Sequence, residues 1–247
     1  MKTYYAHPLT IAILAIAVLT ACGDKAASNN APAPSLADAT NPKKVAEVQK
    51  TVVAAALPKA DKTTPAESYF TLDSGNPLMF AYLALAKLPV DYPEVARTYS
   101  RDFANTQDEF KKKDLLKALT QRIDEEITKA GGMRYMKMTI NNPIGKYDFA
   151  SKGFPLDDSV SQSGSYRYFN DNPNYKLTFT NGDTFRVLKV EDEASARAIE
   201  DLRVKYTPMT LSVYAYLQDA DVSNKTVKAE IVKIVLSDKK GAQLAAQ

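Results

Sequence analysis

Hydrophobic and polar positions change their period twice along the chain. Residues 11–19, Ile-Ala-Ile-Leu-Ala-Ile-Ala-Val-Leu, form an unbroken apolar run, and residues 23–43 are small and polar with scattered prolines. From Lys44 to Leu57 apolar residues return at helical spacing, with Val45, Val48 and Val52 on one face and Pro58 as a stop. Thr64-Pro65-Ala66-Glu67 reads as a capping box with proline at the first helical position. Gly75-Asn76-Pro77 reads as the break after that short helix. Pro77 then starts Leu78–Ala86, which is apolar all round and so belongs at the centre of its bundle. Pro89 ends it. Pro93 opens a fourth helix with Val95, Tyr99 and Phe103 four apart. Thr106-Gln107-Asp108-Glu109 is a second capping box. It starts the longest helix, which turns Phe110, Leu116, Leu119, Ile123 and Ile127 inward and ends at Gly131-Gly132.

Beyond Gly132 the period becomes two. Met133–Ile140 alternates, and Tyr166–Phe169 reads as a short strand. Tyr175–Phe179 and Phe185–Val190 flank Asn181-Gly182, the strongest short-range hairpin signal. Asp192 caps a helix running to about Val204. Met209–Leu217 and Thr226–Leu236 form a second hairpin around Ser223-Asn224, and residues 241–247 read as a polar tail. Helices first and strands second predict an α+β fold. A helical region (44–132) precedes a β-rich region (133–240), the latter an antiparallel sheet or a small barrel with one inserted helix. Three strands, a helix and two strands is similar in chain order to an OB-type barrel. One shared core and two separate domains both remain open.

The apolar run is nine residues long, short of the about 20 that span a bilayer but suited to a signal-peptide core. It ends in Leu19-Thr20-Ala21-Cys22, which resembles the lipobox of bacterial lipoproteins. The resemblance implies a signal peptide over 1–21, cleavage before Cys22, a lipid on the Cys22 sulfur and acylation of the new amino terminus. Residues 22–43 then serve as a flexible tether. A single acyl chain, at roughly 0.8 kcal/mol per buried methylene, binds reversibly, so two or three chains make the anchor. Gly23 rather than an aspartate follows Cys22. By the same resemblance this directs the protein to the periplasmic face of the outer membrane.

Composition now excludes chemistry. The chain has one cysteine, Cys22, and one histidine, His7, which falls within the signal peptide. A mature chain without histidine or free thiol cannot run Ser-His-Asp or Cys-His catalysis, hold zinc on Cys/His ligands or close an internal disulfide. With Lys2 gone from the 32 basic residues, 31 face 29 acidic ones, a near balance that argues against nucleic acid as a partner. Carboxylate acid–base work, lysine or tyrosine chemistry and oxygen-ligand metals remain.

Four stretches could carry function. Asn170-Asp171-Asn172-Pro173-Asn174, close to Asn181-Gly182-Asp183, is oxygen-rich as calcium loops are, yet it lacks the EF-hand ligand pattern and is equally a set of turn residues. Asp157-Asp158, beside Ser159, Ser161 and Ser163, is either an acid–base pair or a solvated loop. Tyr166 and Tyr168, next to Phe169, share a strand face, as do Tyr214 and Tyr216. These tyrosines are either a binding surface for a peptide, glycan or protein, or ordinary strand packing. Tyr147–Leu156, "YDFASKGFPL", reads as a fixed turn between two core insertions. It resembles a family of uncharacterised envelope lipoproteins, a domain of unknown function, which implies no activity. Lys111-Lys112-Lys113 reads as a wet helix face or an anionic-lipid contact. No catalytic residue, cofactor or metal is assigned. The expectation is a lipid-anchored periplasmic envelope protein, non-catalytic, that binds a protein or cell-wall partner. A carboxylate-dependent envelope hydrolase, and an inhibitor or immunity lipoprotein using Asp157–Ser165, stay open.

Overall fold

The computed structural model describes residues 56–162 and 164–247. The signal peptide, Cys22, the tether and all but the last two residues of the helix expected over 44–57 lie outside the described residues. The six helices among them are α1 (Gly75–Ala86), α2 (Tyr92–Tyr99), α3 (Arg101–Asn105), α4 (Glu109–Gly132), α5 (Asp158–Ser161) and α6 (Glu193–Val204). The strands are β1 (Phe70–Thr71), β2 (Tyr135–Asn141), β3 (Gly153–Pro155), β4 (Arg167–Phe169), β5 (Asn172–Phe179), β6 (Val187–Lys189), β7 (Met209–Asp221), β8 (Thr226–Asp238) and β9 (Gln243–Ala246). This is the expected α+β class. The sheet, however, is an open seven-stranded one in the order β1-β2-β7-β8-β5-β4, with β9 on β8, and not a closed OB-like barrel. Nor is it purely antiparallel, since β1 runs parallel to β2 and β5 parallel to β8.

Helix α1 explains why both halves share one core. Leu78, Met79, Phe80, Ala81 and Tyr82 are consecutively buried, so no face of α1 meets water there. On one side it packs on β5, β7 and β8, and on the other on α4. Alternate strand residues join it in one buried cluster: Met136, Met138 and Ile140 from β2, Leu211, Val213 and Ala215 from β7, and Leu177 and Phe179 from β5, together with Ile123 of α4. At about 1.5–3 kcal/mol for each large buried apolar side chain, this layer supplies the main drive to fold. Its entry point is tight. A Cβ on Gly75 would sit 2.6 Å from the Cβ of Asn172, so only glycine lets α1 start beneath β5. The Gly75 amide, left open by Ser74, donates to both Asp171 carboxylate oxygens at 2.9 and 3.0 Å. A cap reached across the sequence thus starts a helix where Gly75-Asn76-Pro77 suggested a break.

Several local expectations are corrected. Thr64–Glu67 makes only a short 3-10 turn over Ala66–Ser68, because the chain must straighten at once to lay β1 beside β2. The fourth helix is two, parted at Ser100, whose hydroxyl accepts the Phe103 amide at 3.3 Å. The cap of α4 is Asp108 and not Thr106; its carboxylate accepts the Phe110 and Lys111 amides at 2.9 and 3.1 Å. Phe110 consequently faces solvent instead of turning inward. The Asn181-Gly182 hairpin does not form. Asn181 instead uses its side-chain amide as a substitute backbone, donating to Ile231 O at 2.9 Å and accepting from Ile231 N at 2.8 Å. A Cβ on Gly182 would lie 2.3 Å from Val160 O. The chain leaves the sheet there, and β6 pairs with β3 in a separate ribbon. The tail is not loose either: β9 pairs with Val235–Ser237 of β8. The long β7–β8 hairpin and the Asp192-capped α6 form as expected.

Candidate functional site

Backbone alternation decides what the outer edge of β2 offers. Asn142 N donates to Met209 O at 2.9 Å and Leu217 N to Arg134 O at 2.7 Å, so even-numbered positions of β2 turn their backbone groups to β7. Odd-numbered positions therefore turn theirs away. Lys137 O is taken by Leu72 N at 2.8 Å, but β1 reaches no further along β2 than Lys137. Among the described residues Thr139 and Asn141 have no strand beside them on that side.

At the far end of the sheet order, β4 has a similar free edge. Lys176 N donates to Lys225 O and Thr180 N to Ala229 O, so even positions of β5 face β8 and odd positions face β4. Leu177 stands opposite Arg167. Arg167 thus spends its backbone on β5, and the backbone groups of Tyr166 and Tyr168 turn outward. Although β2 and β4 are four strands apart in the sheet order, both line one groove of about 580 Å³, so the sheet curls until its two free edges face one another. The exposed Thr139, Asn141, Asp157, Tyr166 and Tyr168 and the more deeply set Ile140, Ser159 and Arg167 line it.

Its charged groups are organised around Asp157. Asp157 caps α5 and accepts from the Ser159 amide at 2.9 Å and from its hydroxyl. That hydroxyl also accepts from Arg167 Nη1, which lies 3.8 Å from the Asp157 carboxylate. The Ser159 hydroxyl above all, with its amide and the Arg167 charge, holds the Asp157 carboxyl below its ordinary range against the opposing effect of burial. Burial lowers the Arg167 pKa, with Asp157 opposing. Arg167 Nε and Nη2 have no hydrogen-bond partner among the described residues.

The stretches singled out in the sequence fare differently. Tyr166 and Tyr168 are 51% and 53% exposed, with ring centres 6.4 Å apart and Lys176 Nζ 4.7 Å over Tyr166. Tyr214 and Tyr216 are half-buried on β7 and do not join them. The Tyr69 ring sits edge-on to Tyr214 at 5.1 Å and to Tyr135 at 5.2 Å. Upstream, Asp61 N donates to Tyr135 OH at 2.8 Å and Ala60 N to Glu230 Oε2 at 3.0 Å. The chain's own residues 58–69 thus occupy that face. Asp157 enters the groove and Asp158 does not, so the adjacent acids do not converge. Ser161 is buried, and Ser163 lies outside the described residues. Asp171 of the asparagine-rich loop is committed to Gly75, and Asn172 is buried against Met79. Among the described residues no cluster of three acidic, histidine or cysteine side chains stands ready for a metal. In Tyr147–Leu156, Phe154 and Leu156 enter the core and Tyr147 OH donates to Val190 O at 3.1 Å, while Phe149 is exposed. Lys112 lies 3.9 Å from Glu109, and Lys111 and Lys113 are exposed on α4. Among the described residues no helix is long and apolar enough to cross a membrane.

Arg167 is the functional candidate that sequence reading missed. Its signal was a lone cation at the inward position of a strand, between two outward tyrosines. A second cavity, of about 390 Å³, lies where α1, α4 and β1 meet; it is lined by Phe70, Pro77, Phe80, Tyr99 and Met133, with Glu126 and Lys129 beside them.

Residues 90–199 match the model of a family described as a domain of unknown function, DUF4852. Every residue of the β2–β4 groove falls inside that span, whereas β7 and β8 fall outside it. No curated protein and no solved structure matches the chain.

Proposed function

We propose that this is a non-catalytic, lipid-anchored envelope protein, held through Cys22 at the periplasmic face of the outer membrane, that binds a protein or cell-wall partner in the β2–β4 groove. The lipobox resemblance of Leu19–Cys22 supports the anchor. The binding role rests on one observation: two exposed tyrosines, a half-buried arginine and two free strand edges converge on one groove. Among the described residues the groove holds a single carboxylate, Asp157, already engaged by Ser159 and Arg167. A carboxylate hydrolase needs a second acid across from it. The inhibitor reading needs a protruding loop, and Asp157–Ser165 instead begins with a helical turn whose Val160 and Ser161 are buried.

Two measurements test this. Cys22→Ala is expected to release the protein from membranes; a variant still bound after a high-salt wash would refute the anchor. A photo-crosslinking residue at position 168 is expected to capture one recurrent envelope partner in intact cells, while the same residue at exposed Phe110 captures none in common. Equal, nonspecific capture from both positions would refute the groove as the binding site.

A further inference from the structure

We propose that the groove receives an extended peptide segment of its partner as an added strand on the free edge of β2, with an acidic side chain of that segment turned inward onto Arg167. This rests on the binding role proposed above and specifies its chemistry.

Strand addition needs a run of unpaired backbone groups, and Thr139 and Asn141 supply them, each turning an N–H and a C=O away from β7. Free edges are commonly blunted by charge, by proline or by a covering segment. This chain covers the first half of β2 with β1 and leaves the second half bare, and the bare half carries threonine and asparagine on its outer side. Across the groove the backbone of Tyr166 and Tyr168 bounds the slot, and their rings stand on the outer side of the sheet. Side chains of an incoming strand alternate as those of its neighbours do. Outward ones would lie against Thr139, Asn141 and the tyrosines. Inward ones would meet Ile140 and Arg167.

The inward position selects the chemistry. Arg167 is only about a quarter exposed, with 26% of its side chain open, and among the described residues its Nε and Nη2 have no partner, while the Asp157 carboxylate lies 3.8 Å from Nη1. A guanidinium so placed takes a carboxylate through two parallel hydrogen bonds and rejects an ammonium. An aspartate or glutamate on the added strand satisfies it. A partner without one leaves it as it is.

The test uses the full-length protein and three end-blocked heptapeptides, Thr-Val-Thr-X-Thr-Val-Thr, with X as Asp, Asn or Lys. Fluorescence anisotropy reads affinity and amide hydrogen exchange reads residues 139–141. The Asp peptide is expected to bind at least about tenfold more tightly than the Asn peptide, the Lys peptide not at all, and the Thr139 and Asn141 amides to become protected. Arg167→Met is expected to erase the Asp–Asn difference. Thr139→Pro removes one outward N–H and, among the described residues, no internal hydrogen bond, and should weaken the Asp peptide without moving the melting temperature. Exchange in the unsubstituted protein keeps the test decisive should that variant fold poorly. Equal binding of the three peptides, binding without protection at 139–141, or no binding would overturn the proposal. Protection that grows with protein concentration alone would mean that a second copy takes the edge, and would overturn it too. Partner capture from position 168 that persists in Arg167→Met and Thr139→Pro would refute strand addition and leave the binding role standing, whereas no specific capture by the otherwise unsubstituted protein would refute both.

Discussion

Tyr214 and Tyr166 occupy similar places in the sheet and meet different fates. Both lie on its outer side, and each has a lysine over its ring, Lys233 at 4.6 Å and Lys176 at 4.7 Å. Tyr214 lies beneath the Tyr69 ring and the strap of residues 58–69, whereas Tyr166 is half exposed beside an open groove. The two halves of β2 repeat the contrast: Lys137 is paired to the chain before β2, and Thr139 and Asn141 are not. An exposed-looking strand face is thus neither core nor site until it is known what lies over it. Here the chain covers the middle of its sheet with its own upstream residues and leaves the curled edges for something else.

The largest test of this contrast is Tyr69→Ala. Tyr69 is 7% exposed and packs on two rings, so its removal should cost about 3 kcal/mol or more in denaturant titration. A cost under about 1 kcal/mol would mean that the strap is not a structural cover. Tyr69→Phe separates ring from hydroxyl. Among the described residues the buried Tyr69 hydroxyl has no hydrogen-bond partner, so this change should be neutral or slightly stabilising; a loss near that of the alanine variant would show that the oxygen has one.

Next in size is the Asp157–Arg167 pair in the groove. The folded Asp157 carboxyl titrates below its unfolded value of about 3.9. Its contribution is therefore fully present above about pH 4 and is lost as pH falls through the lower folded value. With 51% of the side chain open to solvent, screening keeps that contribution under about 1 kcal/mol. Asp157→Asn should accordingly be less stable than the unsubstituted protein at pH 6, and the gap should close on acidification below pH 4. A gap that widens towards low pH would reverse the assigned direction. The smallest effect belongs to the two exposed tyrosines. Tyr166→Ala and Tyr168→Ala should each change stability by no more than about 0.5 kcal/mol while reducing partner capture. A large stability loss from either would move these tyrosines from binding into the fold.

What residue order alone determined here was local. The burial of Leu78–Tyr82 on every side, the cap at Asp192, the long β7–β8 hairpin and the common face of Tyr166 and Tyr168 follow from period, capping chemistry and turn residues acting within a few positions, whereas the exposure of those tyrosines does not. The same reasoning misplaced Phe110, through a cap that falls at Asp108 and not at Thr106, and it misplaced the Asn181-Gly182 turn and the carboxyl-terminal tail because these answer to distant groups: Ile231 fifty positions away and the free stretch of β8. Gly75 shows the reason most plainly. Read alone it is a helix breaker; with Asp171, 96 positions on, taking its amide and Asn172 pressed against its α-carbon, it becomes a helix start. The groove belongs to the second kind. Thr139, Asp157 and Arg167 carry no shared local signal, and only the curl of the sheet, set by strand twist and by packing around α1, brings the two free edges together.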